Sequence, residues 1–204
     1  MSWIYWVLFA ALAICLMSFA YHFIRLVQLG KPRDLSRKAG NTGTAIVYSF
    51  TSAMSPQNKE SAFLHLPTYT AGIVYHIATF LSLAAFVLIL LEVHLAQTLL
   101  IVFAITAFAG SISGLAILIK RMADKKLRKL SNPDDYISNL LVTLFQAMTG
   151  LALLFDGLYP IYILFAALLF LYMPVGKLKH IIYFFAARYH LGFFYGWRNV
   201  WPPS

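Results

Sequence analysis

The sequence predicts an all-α integral membrane protein built as a five-helix bundle. Composition gives the first reason: of 204 residues, 61% are hydrophobic and 11% charged, whereas soluble domains carry roughly 25% charge. The second is length. A bilayer crossing needs about 20 mainly apolar residues, and five segments qualify: 3–26, 68–91, 95–119, 136–155 and 158–175. The third is charge placement. Arg25, Lys31, Arg33, Arg37, Lys38 and Lys59 lie between the first and second segments. Lys120, Arg121, Lys125, Lys126, Arg128 and Lys129 lie between the third and fourth, and Lys177, Lys179, Arg188 and Arg198 follow the fifth. The connections around Glu92–His94 and around Asp156 hold no cation.

Lys and Arg accumulate in cytoplasmic loops, so the expected topology is N-out/C-in. Residues 1–204 form one multi-pass domain of the inner (cytoplasmic) membrane. The formal charge of +9 then reflects loops beside anionic lipid rather than nucleic-acid binding. The first segment has no cationic n-region and is long enough to span, so it reads as a retained helix rather than a cleaved leader. Cys15 is the lone cysteine, which excludes an intrachain disulfide or a cysteine-ligated metal site.

Along the chain, the first span ends near Arg25 and is broken at Gly30-Lys31-Pro32. The cytoplasmic loop 29–66 carries Ile46, Val47, Tyr48, Phe50, Phe63 and Leu64. That is too apolar for a plain linker and suits the membrane surface or a partner. Pro67 fits the first turn of the second span. In the third span, Gly110 and Gly114 make a small-xxx-small face for close approach of a helix or a flat cofactor. Asn132-Pro133-Asp134-Asp135 is a helix start, with an N-cap, a proline at the first position and acids on the dipole. The fifth span is expected to run on into a cytoplasmic amphipathic extension, within the tail 176–204.

Ionisable residues inside spans are costly and commonly functional, which draws attention to the six histidines. His76 lies about two turns inside the second span, with Gly72 one turn earlier. The second and fifth spans are antiparallel, so His76 and His180 fall at similar depth in the cytoplasmic half. Two facing imidazoles suit a haem iron, and a bundle accommodates the flat porphyrin. Lys120, Arg121, Lys177 and Lys179 would then serve the propionates. The alternative is a pair of interfacial histidines bonded to backbone or lipid headgroups. His65 and His190 are displaced from the first pair by matching steps, about 16 and 15 Å if helical. They read as a possible second haem pair, or as quinone-contacting or docking residues. Tyr69, Tyr183, Phe184 and Arg188, with His190, make an aromatic and basic group fit for a quinone head, or an interfacial belt. His94 reads as solvated and His22 as interfacial. No Ser-His-Asp pattern, phosphate loop or HExxH motif points to catalysis within this chain alone.

On these residues the chain resembles the cytochrome b membrane subunits of the respiratory nitrate reductase gamma family. That group includes small membrane subunits of heterodisulfide-reductase-like and sulfite-reductase-associated complexes. Tyr75-His76-Ile77 resembles the family's second-span ligand motif. The stretch from Met173-Pro174 to Leu178-Lys179-His180 resembles its fifth-span motif. Ile119-Lys120-Arg121 followed by Asp134-Asp135 resembles its inner loop.

The resemblance covers most of the chain. It implies axial ligation of haem b by His76 and His180, with electrons exchanged between membrane quinone or quinol and a cytoplasmic iron–sulfur subunit in a hetero-oligomeric complex. The family's outer histidine pair would fall near Phe86 and Tyr162, which cannot serve. One haem is therefore expected, with two as the alternative. The rival reading is a haem-free structural anchor or small transporter subunit.

Overall fold

A computed structural model describes residues 2–29, 34–58 and 63–203. The chain is 82% helix, and among the described residues there is no strand. Among the described residues, four helices are long and apolar enough to cross a membrane, and a fifth candidate is a broken pair of helices. The chain packs as two compact units: residues 1–15 with 67–178, and residues 16–66 with 179–204.

The first unit is built on long apolar helices. α1 (Trp3–Leu29) runs without a glycine or proline, and the unit takes its first half. There Leu8, Ala11 and Cys15 form a buried stripe at helical spacing. α3 (Leu66–Leu90) carries Pro67 in its first turn, where a missing N–H costs nothing. Its end is closed by Glu92, whose φ is 54°, with the Val93 N–H donating to Leu88 O at 3.0 Å. α4 (Gln97–Ala123) carries Lys120 and Arg121 in its last turn, where cations meet the negative end of the dipole.

Asp124 closes α4 and its side chain caps the short α5 (Lys125–Lys129), accepting from Lys126 N at 2.7 Å. α6 (Pro133–Leu154) opens on the expected cap: Asn132 and Asp135 bond each other's backbone at 3.1 and 2.9 Å. α7 (Tyr159–Tyr172) follows with Pro160 in its first turn.

Gly110 and Gly114 of α4 leave no room for a Cβ against Ala78 and Tyr75 of α3 and Gln146 and Thr143 of α6. The small face therefore serves helix packing. Gln146 is fully buried and donates to Tyr75 O at 2.9 Å and Thr79 Oγ1 at 2.7 Å. This ties α6 to α3 through groups that lipid could not satisfy.

The second unit pairs a helix not anticipated in the loop 29–66 with the helix of the C-terminal tail. α2 (Thr42–Phe50) lies inside the loop 29–66 and is capped by Asn41, which accepts from Gly43 N at 2.9 Å. Turns of 3-10 helix at Ser52–Met54 and Pro56–Asn58 follow it. α8 (His180–Trp197) crosses α2 with backbones in contact: a Cβ on Gly192 would lie 2.5 Å from Ile46 Cα, and one on Gly196 2.5 Å from Ala45 Cβ. Buried Ser49 adds a bond to Arg188 O at 2.8 Å.

The expected extension of the fifth span is corrected here. α7 stops at Tyr172, residues 173–176 form turns, a 3-10 turn covers Lys177–Lys179, and α8 is a separate helix. Pro174 cannot donate a helical N–H and Gly176 is a poor helix former. Asp134 then takes up the chain on the far side, accepting the backbone N–H of Lys177 at 2.7 Å.

Candidate functional site

His76 stands on α3 with its side chain exposed, within a candidate span. Its Nδ1 lies 2.6 Å from Gly72 O, one turn earlier. A carbonyl only accepts, so Nδ1 carries the proton and Nε2 is the basic nitrogen. A backbone bond of this kind fixes the tautomer and orientation of a ligating imidazole. The adjacent residue points elsewhere. Tyr75 is turned toward α6, where its hydroxyl donates to Asn139 O at 3.1 Å. The rings of Tyr75 and His76 stand at 88°. α3 thus has one face welded into its unit and another that carries His76. Gly72 belongs to the latter, since a Cβ there would meet nothing within 4 Å.

Three of the four cations read as propionate partners have protein partners as well. Lys120 Nζ donates to Thr68 Oγ1 at 2.5 Å. Asp135 Oδ1 receives Lys177 Nζ at 2.5 Å and lies 3.7 Å from Arg121 Nη1, which also donates to Ser131 Oγ at 2.9 Å. Asp134 accepts from Ser138 Oγ at 3.0 Å, from the Tyr172 hydroxyl and from Lys177 N. Lys179 belongs to the 3-10 turn before α8. Tyr69 sits half-buried in the first turns of α3.

In the second unit, His180 is the exposed first residue of α8. His65 is exposed in the turn before α3 and outside its helix, the place that Pro67 gives it. Tyr183 bonds His22, its hydroxyl 3.1 Å from Nδ1. Arg188 lies over Phe184, 5.9 Å from the ring centroid, and donates to Met54 Sδ. His190 lines an open groove of about 860 Å³ together with Asp34, Leu35, Ser36, Leu191 and Phe194. Lys31, Arg33 and Lys59, read as cytoplasmic cations, lie outside the described residues.

Phe86 and Tyr162, where the resemblance would put an outer histidine pair, are both buried. They meet at 6.1 Å between ring centroids, flanked by Phe145 and Phe170. Among the described residues, no group of three or more His, Cys, Asp or Glu gathers to hold a bare metal ion.

Four features were not anticipated: the Gly192–Gly196 crossing, the Gln146 bridge, the His22–Tyr183 pair and the Asp134 clamp. The first is a G-x-x-x-G spacing visible in the sequence. The others are long-range pairings with no local signature. No family model, curated protein or solved structure matches this chain.

Proposed function

We propose that this chain is a haem b-binding membrane-anchor subunit of a respiratory oxidoreductase complex, similar to the nitrate reductase gamma family. It spans the inner membrane five times, N-out/C-in, and exchanges electrons between membrane quinone or quinol and a cytoplasmic iron–sulfur subunit. The observation that carries the reading is His76: an imidazole on an apolar helix, its ring oriented by the 2.6 Å contact of Nδ1 with Gly72 O.

A bare ion needs a cluster of side chains, whereas haem brings four nitrogens and asks the protein for two axial ligands. His76 and His180 would fill that role in this reading, and haem, when bound, would supply the one-electron chemistry. Lys120, Arg121, Lys177 and Lys179 would hold the propionates. Tyr69, Tyr183 and Arg188 are the quinone contacts, and His65 and His190 stand at the cytoplasmic surface.

The test is a pyridine haemochrome assay with protein quantification, on wild type and on His76→Ala and His180→Ala. The expected result is one haem per chain and loss of the reduced-minus-oxidised alpha band in either variant. A chain purified without haem from haem-replete cells supports the structural anchor instead. A normal bis-histidine spectrum in His180→Ala refutes the pairing.

A further inference from the structure

The second unit has an unequal charge. Residues 16–66 and 179–204 hold nine of the sixteen cations but only Asp34 and Glu60 among the acids. The groove of about 860 Å³ lies in this unit. α8 builds one wall with Ala187, His190, Leu191 and Phe194, at positions i, i+3, i+4 and i+7 of one helical face. Arg188, Gly192 and Gly196, which meet α2 and its neighbours, occupy another face. The other wall is the segment 34–36. Asp34 accepts from Ser36 N at 3.0 Å and pairs with Arg198 at 2.6 Å, and Trp197 Nε1 donates to Ser36 O at 2.8 Å. These bonds hold the segment against α8.

Held there, Leu35 is 98% exposed, and the exposed cations Arg37 and Lys38 follow one residue beyond it, with Lys38 Nζ 5.9 Å from the Trp197 ring centroid. A fully exposed leucine next to cations, over an apolar floor, matches a ligand with an anionic head and a hydrocarbon body. Chain geometry selects among such ligands. Leu35 follows the end of α1 by six positions, and α1 still exposes Ile24 and Val27 in its last turns. Six residues span at most about 20 Å, so a bilayer surface at the end of α1 would be within chain reach of the groove.

We propose that this groove binds an anionic phospholipid of the bilayer surface, with Arg37 and Lys38 on the headgroup and Leu35, Leu191 and Phe194 against the upper acyl chains. The site does not depend on haem. It makes the second unit a membrane-surface element rather than a face given wholly to a soluble partner.

The test uses the full chain in nanodiscs of phosphatidylcholine with or without phosphatidylglycerol. An environment-sensitive fluorophore is placed by Leu35→Cys in a Cys15→Ser background. The label should be quenched by doxyl-lipid and shielded from aqueous iodide, more strongly with phosphatidylglycerol present. Phosphatidylglycerol co-purifying with the chain should exceed phosphatidylcholine, and Arg37→Ala with Lys38→Ala should lower that preference about five-fold per cation removed. Leu35 is exposed and carries no packing, so the labelled variant reports on a folded protein. A label open to iodide and blind to doxyl-lipid overturns the site. So does equal phosphatidylglycerol retention by wild type and the double variant, or shielding that appears only when soluble protein is added.

Discussion

The rings of Phe86 and Tyr162 meet edge-on at 6.1 Å, and both side chains are buried, at 2% and 0% exposure. Phe145 stacks on Tyr162 at 5.8 Å and Phe170 closes on Phe86 at 5.1 Å. Four aromatic rings from α3, α6 and α7 fill the volume at these two positions. A porphyrin there would have to displace the cluster.

On the proposed reading, one haem per chain is expected. His65→Ala and His190→Ala should leave the haemochrome stoichiometry unchanged. A wild-type ratio near two that either substitution lowers to one would establish the second pair.

Truncation of the cluster should be costly. Phe86→Ala or Phe145→Ala leaves a ring-sized hole in a packed interior and should destabilise the chain by about 3–5 kcal/mol. Thermal unfolding in detergent measures it. Phe80→Ala, which removes an exposed ring of the same helix, should cost far less.

Asp134 joins the start of α6 to the break after α7 by accepting Lys177 N at 2.7 Å. Asp134→Ala removes the acceptor for that N–H and for the Tyr172 and Ser138 hydroxyls. A loss of about 1–3 kcal/mol is expected, with faster tryptic cleavage at Lys177 and Lys179. Asp134→Asn, which keeps one acceptor oxygen, should fall between. Cleavage rates equal to wild type in Asp134→Ala would rule out the clamp.

Glycine substitutions should split sharply. Gly192→Ala forces a methyl to 2.5 Å from Ile46 Cα, backbone that cannot step aside, whereas Gly72→Ala enters open space. The first should speed hydrogen exchange across α2 and cost about 1–3 kcal/mol. The second should be neutral or slightly stabilising, since alanine is the better helix former.

Asp34 gives the second unit a pH dependence. The Ser36 hydroxyl and amide, and then Arg198, hold its carboxyl below the usual carboxylate range. A depressed folded-state value contributes stability above the ordinary aspartate range and loses it as pH falls through the lowered one. Exchange at the segment 34–36 and at Trp197 should therefore rise below about pH 4. Asp34→Asn should show the raised exchange at every pH.

Much of the helical architecture is legible in the residues. The Asn132-Pro133-Asp134-Asp135 start, Pro67 and the four long apolar runs each carry their own local instruction, and the helices begin and end within a few residues of it. Other parts are not local. Pro174 and Gly176 announce a break, but only the reach of Asp134 across 43 positions turns it into two helices. α2 is nine residues long, too short for a periodic pattern to separate it from an apolar loop. At the candidate site, His76 stands out as an imidazole in a hydrocarbon-length helix, and its bond to Gly72 is implied by a four-residue spacing. Gln146 gave no such signal, because its partners come from α3.

α7 has 14 residues, about 21 Å of helix at 1.5 Å per residue. The hydrocarbon layer of an ordinary bilayer is about 30 Å thick. α1, α3 and α4 are long enough to tilt within it, but α7 falls short by roughly a third. If α7 is the fifth span, as the proposed reading has it, lipid would thin beside it or the flanking turns would sink toward the chains, at a fraction of a kcal/mol for each ångström. On that reading the chain would favour thin bilayers, and acyl-chain length would become a variable in its placement.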